Sequence, residues 1–424
     1  MGLASPGVTE KAANQRLADG RNAAYGRRRR FRTALSKRLT RLLRRLSWKF
    51  RAATPADYVE LVPGSRDPAL VSDLAGRVNW FLGGGGRPVY MRGAADATVT
   101  PDAAPYLDPS LVRDPGWLPD RPAGIREVVI HKVSPRSLLA FACNVGHVTI
   151  ASPWFCDEAE WGWWELARRY GRNADQEASV SIDRLLQRAR TGASVFVLGT
   201  GPSASDVAPA AVTADLRIVC NSAVRDVELL CDLRPDVIAF GDPVFHCGPS
   251  RYAAQFRRDL HRALEVTDAL FLTNREWSSA MIAHMPEFAD RVVVFPFDDD
   301  VAFGWPSRDR RKVRTTGNVL TNLMLPAAFA IGDHVQIAGC DGRKPDENYF
   351  WQHNAKIQYQ DELMQAAFAA HPAFFRDRDY ADYYDVHCTE LEEFIAIAEA
   401  AGKTVQNVTT SYIPALAKRS EETA

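Results

Sequence analysis

The second half of the chain is organised by short apolar runs, each closed by a small or polar residue. SVFVL at 194–198 runs into Gly199, LRIVC at 216–220 into Asn221, and DVIAF at 236–240 into Gly241 and Asp242. ALFLTN ends at Asn274, RVVVFPF follows from Arg291, and HVQIAGCD ends at Asp341. Runs this short and this rich in Val and Ile are the pattern of strands buried on both faces. Longer stretches with helical spacing separate them, notably VLTNLMLPAAFAIG from Val319 and TELEEFIAIAEAAG from Thr389, the latter followed by a last strand, TVQNVT. Alternation of this kind predicts an α/β domain over 191–415, with a mostly parallel, Rossmann-like sheet and helices on both faces.

Upstream the pattern is weaker. VVIHK, SPRSLLAFACNV and HVTIAS, between 128 and 152, predict a strand, a Ser-capped helix and a strand. The Pro-, Gly- and Asp-rich text before them predicts mostly loop with a few short elements, so 53–190 is expected to be a loop-rich, small α/β region. WGWWELARRYGR and SIDRLLQRA read as helices leading into the main domain, and Trp161, Trp163 and Trp164 are assigned to packing. Near the N-terminus, Leu35, Leu39, Leu42, Leu43, Leu46 and Phe50 recur at three- and four-residue spacing, which predicts an amphipathic helix over 27–52. Residues 1–26 and 416–424 are expected to be tails, the first disordered.

Charge sharpens this picture. The 52 Lys and Arg balance the 52 Asp and Glu, yet residues 27–51 hold twelve basic residues and no acid, leaving 40 basic against 52 acidic elsewhere, a net of −12. A basic, amphipathic helix suits an anionic membrane surface, and the alternative is packing on the acidic remainder of this protein or a partner. No nucleic-acid module accompanies the charge, so nucleic acid is not expected as a partner. No apolar run is long enough to span a bilayer, no signal peptide is evident, and the seven cysteines form no CxxC pair. The expected location is cytoplasmic, peripheral on the inner face of the cell membrane.

The chemistry is expected at strand ends. Gly199-Thr200-Gly201-Pro202-Ser203 makes a tight turn that could present backbone N–H groups to a phosphate, but lacks the third glycine of the dinucleotide fingerprint and the GK[ST] of a P-loop. Asn221, Asp242 and Asp341 close later strands, where open α/β sheets bind ligands. Thr315-Thr316-Gly317-Asn318 opens a helix with hydroxyl donors, Arg343, Tyr349 and His353 follow Asp341, and Tyr383-Tyr384-Asp385-Val386-His387-Cys388 precedes the helix expected from Thr389.

The order of these pieces resembles the bacterial sialyltransferases of glycosyltransferase family 42, with a GxGPS turn, an Asn closing the second strand, a Thr-Ser-Gly-like helix start, a Gly-x-Asp strand end with a tyrosine eight residues on, and a late Tyr-x-x-His. The resemblance covers about residues 194–415. It implies an inverting transferase that uses a nucleotide-sugar donor such as CMP-sialic acid, a glycan or lipid-linked acceptor, and no further cofactor. It further implies His387 as general base, Asn221 and the Thr316 region as nucleotide contacts, and Tyr349 as donor to the leaving phosphate, with Tyr384 completing the motif. Thr200 stands where the family has Asn, and Arg343 where it has a phosphate-binding tyrosine. The glycine turn and the Gly-x-Asp end also resemble archaeal pterin diphosphokinases and flagellin-glycosylation accessory factors. That alternative implies ATP and Mg²⁺ with Asp242 and Asp341 as ligands. A non-catalytic, membrane-docked nucleotide-binding scaffold is the remaining alternative.

Overall fold

In the computed structural model the apolar runs pair as parallel strands. The structure describes residues 57–62, 89–91, 112–113, 124–130, 135–150, 174–242, 250–275, 285–343, 361–370 and 380–420, with isolated positions between them. Tyr349, His353, the three tryptophans and residues 1–41 lie outside the described residues.

The first five strands, β1 (Tyr58–Val62), β2 (Val89–Met91), β3 (Val112–Arg113), β4 (Arg126–Ile130) and β5 (Val148–Ile150), form an all-parallel sheet in the order β3-β2-β1-β4-β5. These strands are short elements of the kind expected in the loop-rich text, two to five residues long, too short for a period to emerge from single-chain patterning. Helix α1 (Pro135–Cys143) joins β4 to β5.

Helix α2 (Ala174–Leu186) leads into the main sheet, which is also all-parallel. Its strands are β6 (Ser194–Leu198), β7 (Leu216–Cys220), β8 (Val237–Ala239), β9 (Leu270–Asn274), β10 (Val292–Phe295), β13 (His334–Ala338) and β14 (Thr404–Asn407), in the order β10-β9-β8-β7-β6-β13-β14. Side chains alternate across β6: Val195 and Val197 enter one core, Phe196 and Leu198 the other. Helices α3 (Val227–Leu233), α4 (Arg251–Val266) and α6 (Asp361–Ala370) serve the second core; α2, α5 (Leu325–Ile331), α7 (Tyr380–Ala400) and α8 (Pro414–Ala417) line the first. Helices therefore cover both faces, as the continuous apolar runs require.

The chain runs outward from β6 to β10 and then returns to place β13 on the other side of β6. The ends of β6 and β13 flank the crevice that such a reversal of strand order creates. A two-stranded parallel ribbon, β11 (Phe297–Asp298) with β12 (Val313–Arg314), delivers Thr315 toward that crevice.

Two local departures matter for the site. The helix that opens after Asn318 begins with a π turn, Leu320–Met324, where the Leu325 N–H bonds Leu320 O five residues back. Pro326 has no N–H to offer the carbonyl of Asn322, and the wider register precedes it. The late helix α7 starts at Tyr380, nine residues before the expected Thr389, so Tyr383, Tyr384, His387 and Cys388 are helical rather than preceding a helix. Beyond β14 the packing continues past 415: Arg419 bonds Glu392 and Glu399 on α7, and Ser420 bridges Asn407.

Candidate functional site

A cavity of about 440 Å³ opens at the carboxyl ends of the main sheet's strands. Its wall includes Gly199, Thr200, Gly201 and Pro202 after β6, Asn221 after β7, Asp242 after β8, Asp341 after β13, Thr315, Thr316 and Gly317 ahead of the π turn, and His387 on α7. Segments separated by nearly two hundred residues thus meet in one place. Ser203, Tyr384 and Arg343 are not in the wall.

The glycine turn does a different job from the one its sequence suggests. Gly199 N–H donates to Ala338 O at 2.8 Å and Gly201 N–H to Gly339 O at 2.8 Å, so these donors are spent on the end of β13 rather than left for a phosphate. Ser203 donates its N–H and hydroxyl to the Asp341 carboxylate at 3.0 and 2.9 Å. A Cβ on Gly199 would lie 2.4 Å from Gly339 O, which shows why glycine is needed: two backbones meet there. Gly339 itself sits at φ +66°. The cradle reading is therefore corrected, because the adjacent strand end, not an anion, takes these N–H groups.

The second glycine motif also lines the cavity. Asn318 caps its helix, with Oδ1 accepting the Leu320 N–H at 2.9 Å, and the Thr316 and Thr321 hydroxyls bond each other at 2.8 Å. The Asn322 amide donates to Thr316 O at 3.3 Å. Tyr383 packs its ring on Gly317, where a Cβ would touch the ring, and donates its hydroxyl to Gly317 O. Hydroxyls at a helix start are a suitable lining for phosphate or ribose.

His387 is buried, and its Nδ1 is buried with no hydrogen-bond partner. Burial holds its pKa down to about 4, so the imidazole is neutral and able to accept a proton at neutral pH. Burial raises Asp341 above the usual carboxylate range, against the lowering effect of the Ser203 donors. Asn221 has left-handed backbone, φ +48°, and a buried Oδ1 without a partner. A non-glycine residue in that region stores strain, a feature often found at functional positions. Cys220 and Cys340 also line the cavity, but burial raises both thiols, Cys340 to about 12, so neither is a ready nucleophile. Among the described residues the wall contains two carboxylates, Asp242 and Asp341, and no lysine or arginine.

Tyr384 lies outside the cavity wall. Its hydroxyl accepts the Arg343 N–H at 3.4 Å, its ring lies 4.8 Å under the Arg343 guanidinium, and burial lifts its pKa to about 12. It supports the 341–343 turn, whereas the neighbouring Tyr383, one helical turn before His387, forms the wall. Reading 383–388 as preceding a helix hid this pairing, which the i, i+4 spacing of Tyr383 and His387 would have signalled. Asn274, Asn318 and Asn322 also line the cavity without having been chosen from the sequence. The first closes a strand and was legible by that rule; Asn322 sits mid-helix and reaches the wall only through the π turn.

Asp242 serves a turn of its own: Phe245 N–H donates to Asp242 Oδ1 at 2.9 Å, and Asp242 N–H donates to His246 Nδ1 at 3.1 Å. Among the described residues no three His, Cys, Asp or Glu side chains are grouped to hold a metal, and with Asp341 already serving Ser203, magnesium would have to share both carboxylates with protein donors. No helix among the described residues is long and apolar enough to cross a membrane. No family model, curated protein or solved structure matches this chain.

Proposed function

We propose that the chain is an inverting, sialyltransferase-like glycosyltransferase that moves a sugar from a nucleotide donor of the CMP-sialic acid type to a hydroxyl of a glycan or lipid-linked acceptor. The observation that carries this reading is the neutral, buried His387 in the same cavity wall as Asn221 and the hydroxyls of Thr315 and Thr316. A wall that, among the described residues, holds two carboxylates and no lysine or arginine suits a donor with a single phosphodiester charge better than a pyrophosphate.

In the proposed step His387 takes the acceptor hydroxyl's proton as that oxygen bonds to the anomeric carbon of the sugar. The bond from that carbon to the phosphate oxygen breaks, and its electron pair leaves with the nucleotide as a phosphate monoester. The Thr315 and Thr316 hydroxyls and the helix start behind them take up the growing charge. Arg343, implied by the resemblance as a phosphate contact, is stacked over Tyr384 outside the wall, so Tyr349 is the further phosphate donor of this reading. The acceptor is proposed to be met at the cytoplasmic face of an anionic membrane, with residues 27–51 toward the lipid.

Asp242 and Asp341 in one wall also keep an ATP- and Mg²⁺-dependent diphosphokinase in view. Thermal unfolding with CMP, CDP, UDP, GDP and ATP, each with EDTA and with Mg²⁺, separates the two. A ligand at a hundred times its Kd adds about 2.7 kcal/mol. Metal-independent stabilisation by a cytidine nucleotide is the expected result; a response to ATP that requires Mg²⁺ would replace the transferase with the kinase, and no response to any nucleotide would favour the scaffold.

A further inference from the structure

Asn322 sits in the π turn Leu320–Met324, which runs directly into α5, and asparagine is a poor choice for a helix interior because its amide competes for the backbone. Only half of that amide is used. Nδ2 donates to Thr316 O at 3.3 Å, whereas Oδ1 is buried and has no partner among the described residues. The bond to Thr316 O decides which end of the amide points where, so the unused end is the acceptor. Asn221 Oδ1 is buried and open in the same way, and both residues line the same cavity. Buried carbonyl oxygens without a donor are rare in folded chains unless something else completes them. These two arrive from touching elements: the π turn packs against β7, and Asn221 directly follows β7. Asp242, beyond the neighbouring strand β8, brings a further acceptor to the wall, one that already takes the Phe245 N–H.

We propose that Asn322 determines which base the site accepts, its Oδ1 and that of Asn221 taking the two N–H groups of an exocyclic amino group. This rests on the reading of the cavity as a nucleotide site and adds the residue that reads the base. The amino group of cytosine or adenine offers two donors, and its lone pair is drawn into the ring, so it accepts nothing. Open carbonyl oxygens select such a group over the other parts of a nucleotide sugar. A phosphate only accepts, and hydroxyls both give and accept. Uracil places a carbonyl oxygen where cytosine has its amino group, which sets acceptor against acceptor. Phe297, also in the wall, supplies an aromatic face of the kind on which bases stack.

The test is calorimetric titration of the full chain with CMP and with pyrimidin-2-one riboside monophosphate, which is CMP without its amino group. AMP and purine riboside monophosphate form the matching adenine pair. The wild type is expected to bind CMP about tenfold more tightly than the analogue, and Asn322→Ala to bind both about equally. The ratio of the two affinities is the readout, because a merely loosened helix weakens both nucleotides alike. Should Asn322→Ala melt early, Asn322→Leu, which keeps the volume and the helix, carries the comparison. A preference for CMP that survives substitution overturns the role of Asn322 and leaves the cytidine donor in place, and so does a wild type that binds CMP and its analogue equally. A preference for AMP over its analogue that is lost on substitution keeps Asn322 as the base reader and removes the cytidine donor. Binding of none of the four overturns both the nucleotide site and this assignment.

Discussion

Gly201 and Asp341 are joined so closely that a Cβ on residue 201 would lie 2.0 Å from the Asp341 Oδ2 and 2.8 Å from Gly339 O. The contact locks the turn after β6 to the end of β13, on either side of the switch point. Gly201→Ala is expected to destabilise the protein by about 2–3 kcal/mol, since both a carboxylate and a backbone oxygen must move. Urea unfolding measures this. Removing the carboxylate as well, with Asp341→Ala, relieves only part of the clash, so a double-mutant cycle should give a coupling of about 1 kcal/mol or more.

His387→Gln is expected to retain nucleotide stabilisation and to lose about a hundredfold or more in the transfer rate. Loss of nucleotide binding in this variant would show that the imidazole builds the pocket rather than accepting a proton. In the wild type the acid limb of the rate profile of the free enzyme should fall near pH 4, where burial has placed the imidazole, and not near 6.5.

Two buried histidines should make the fold acid-sensitive. Burial lowers His246 to about 3, with Arg257 adding to it, and His387 to about 4, both from 6.5. The unfolded chain therefore binds protons first as the pH falls, so their contribution is whole above about 6.5 and is lost from there down to about 4 for His387 and about 3 for His246. Each contributes a slope of at most about 1.4 kcal/mol per pH unit in that window. Asp341, raised by burial, works in the opposite sense at its acid end. Denaturation midpoints from pH 7 to 4 should fall less steeply in His387→Gln, and an unchanged slope would refute the burial argument.

Asn221 separates strain from recognition. Asn221→Gly relieves the backbone at φ +48° and should leave stability within about 0.5 kcal/mol, whereas Asn221→Ala should cost about 1 kcal/mol. Both are expected to bind the nucleotide about tenfold more weakly if the side chain contacts the ligand. Calorimetric titration beside thermal melts distinguishes the two effects.

The adjacent tyrosines should behave differently. Tyr383→Ala removes a wall of the cavity and the hydroxyl bond to Gly317 O, and is expected to weaken nucleotide binding about tenfold. Tyr384→Phe removes an acceptor for the Arg343 N–H and a side-chain contact with Cys388, both outside the cavity wall, and should change binding little. Equal effects on ligand affinity would mean that the 341–343 turn, rather than the cavity wall, governs recognition.

Patterning alone determined that the main domain is α/β with a buried parallel sheet, because Val- and Ile-rich runs covered on both faces cannot alternate with polar residues. It also located the cavity's main segments, since a strand that ends at Asn221, Asp242 or Asp341 must deliver its next residue to the same edge of the sheet. What it could not decide were relations made by neighbours distant in sequence. Whether the N–H groups of Gly199 and Gly201 meet a ligand or the end of β13 depends on which strand lies beside β6. Only the fold brings His334–Ala338 back to that position. Whether Tyr383 or Tyr384 faces the cavity depends on the phase of a helix that begins at Tyr380, and Asn322 enters the wall through a π turn set by Pro326. Local sequence sets which residues stand at strand ends, while hydrogen-bond competition between elements sets which of their groups remain for a ligand.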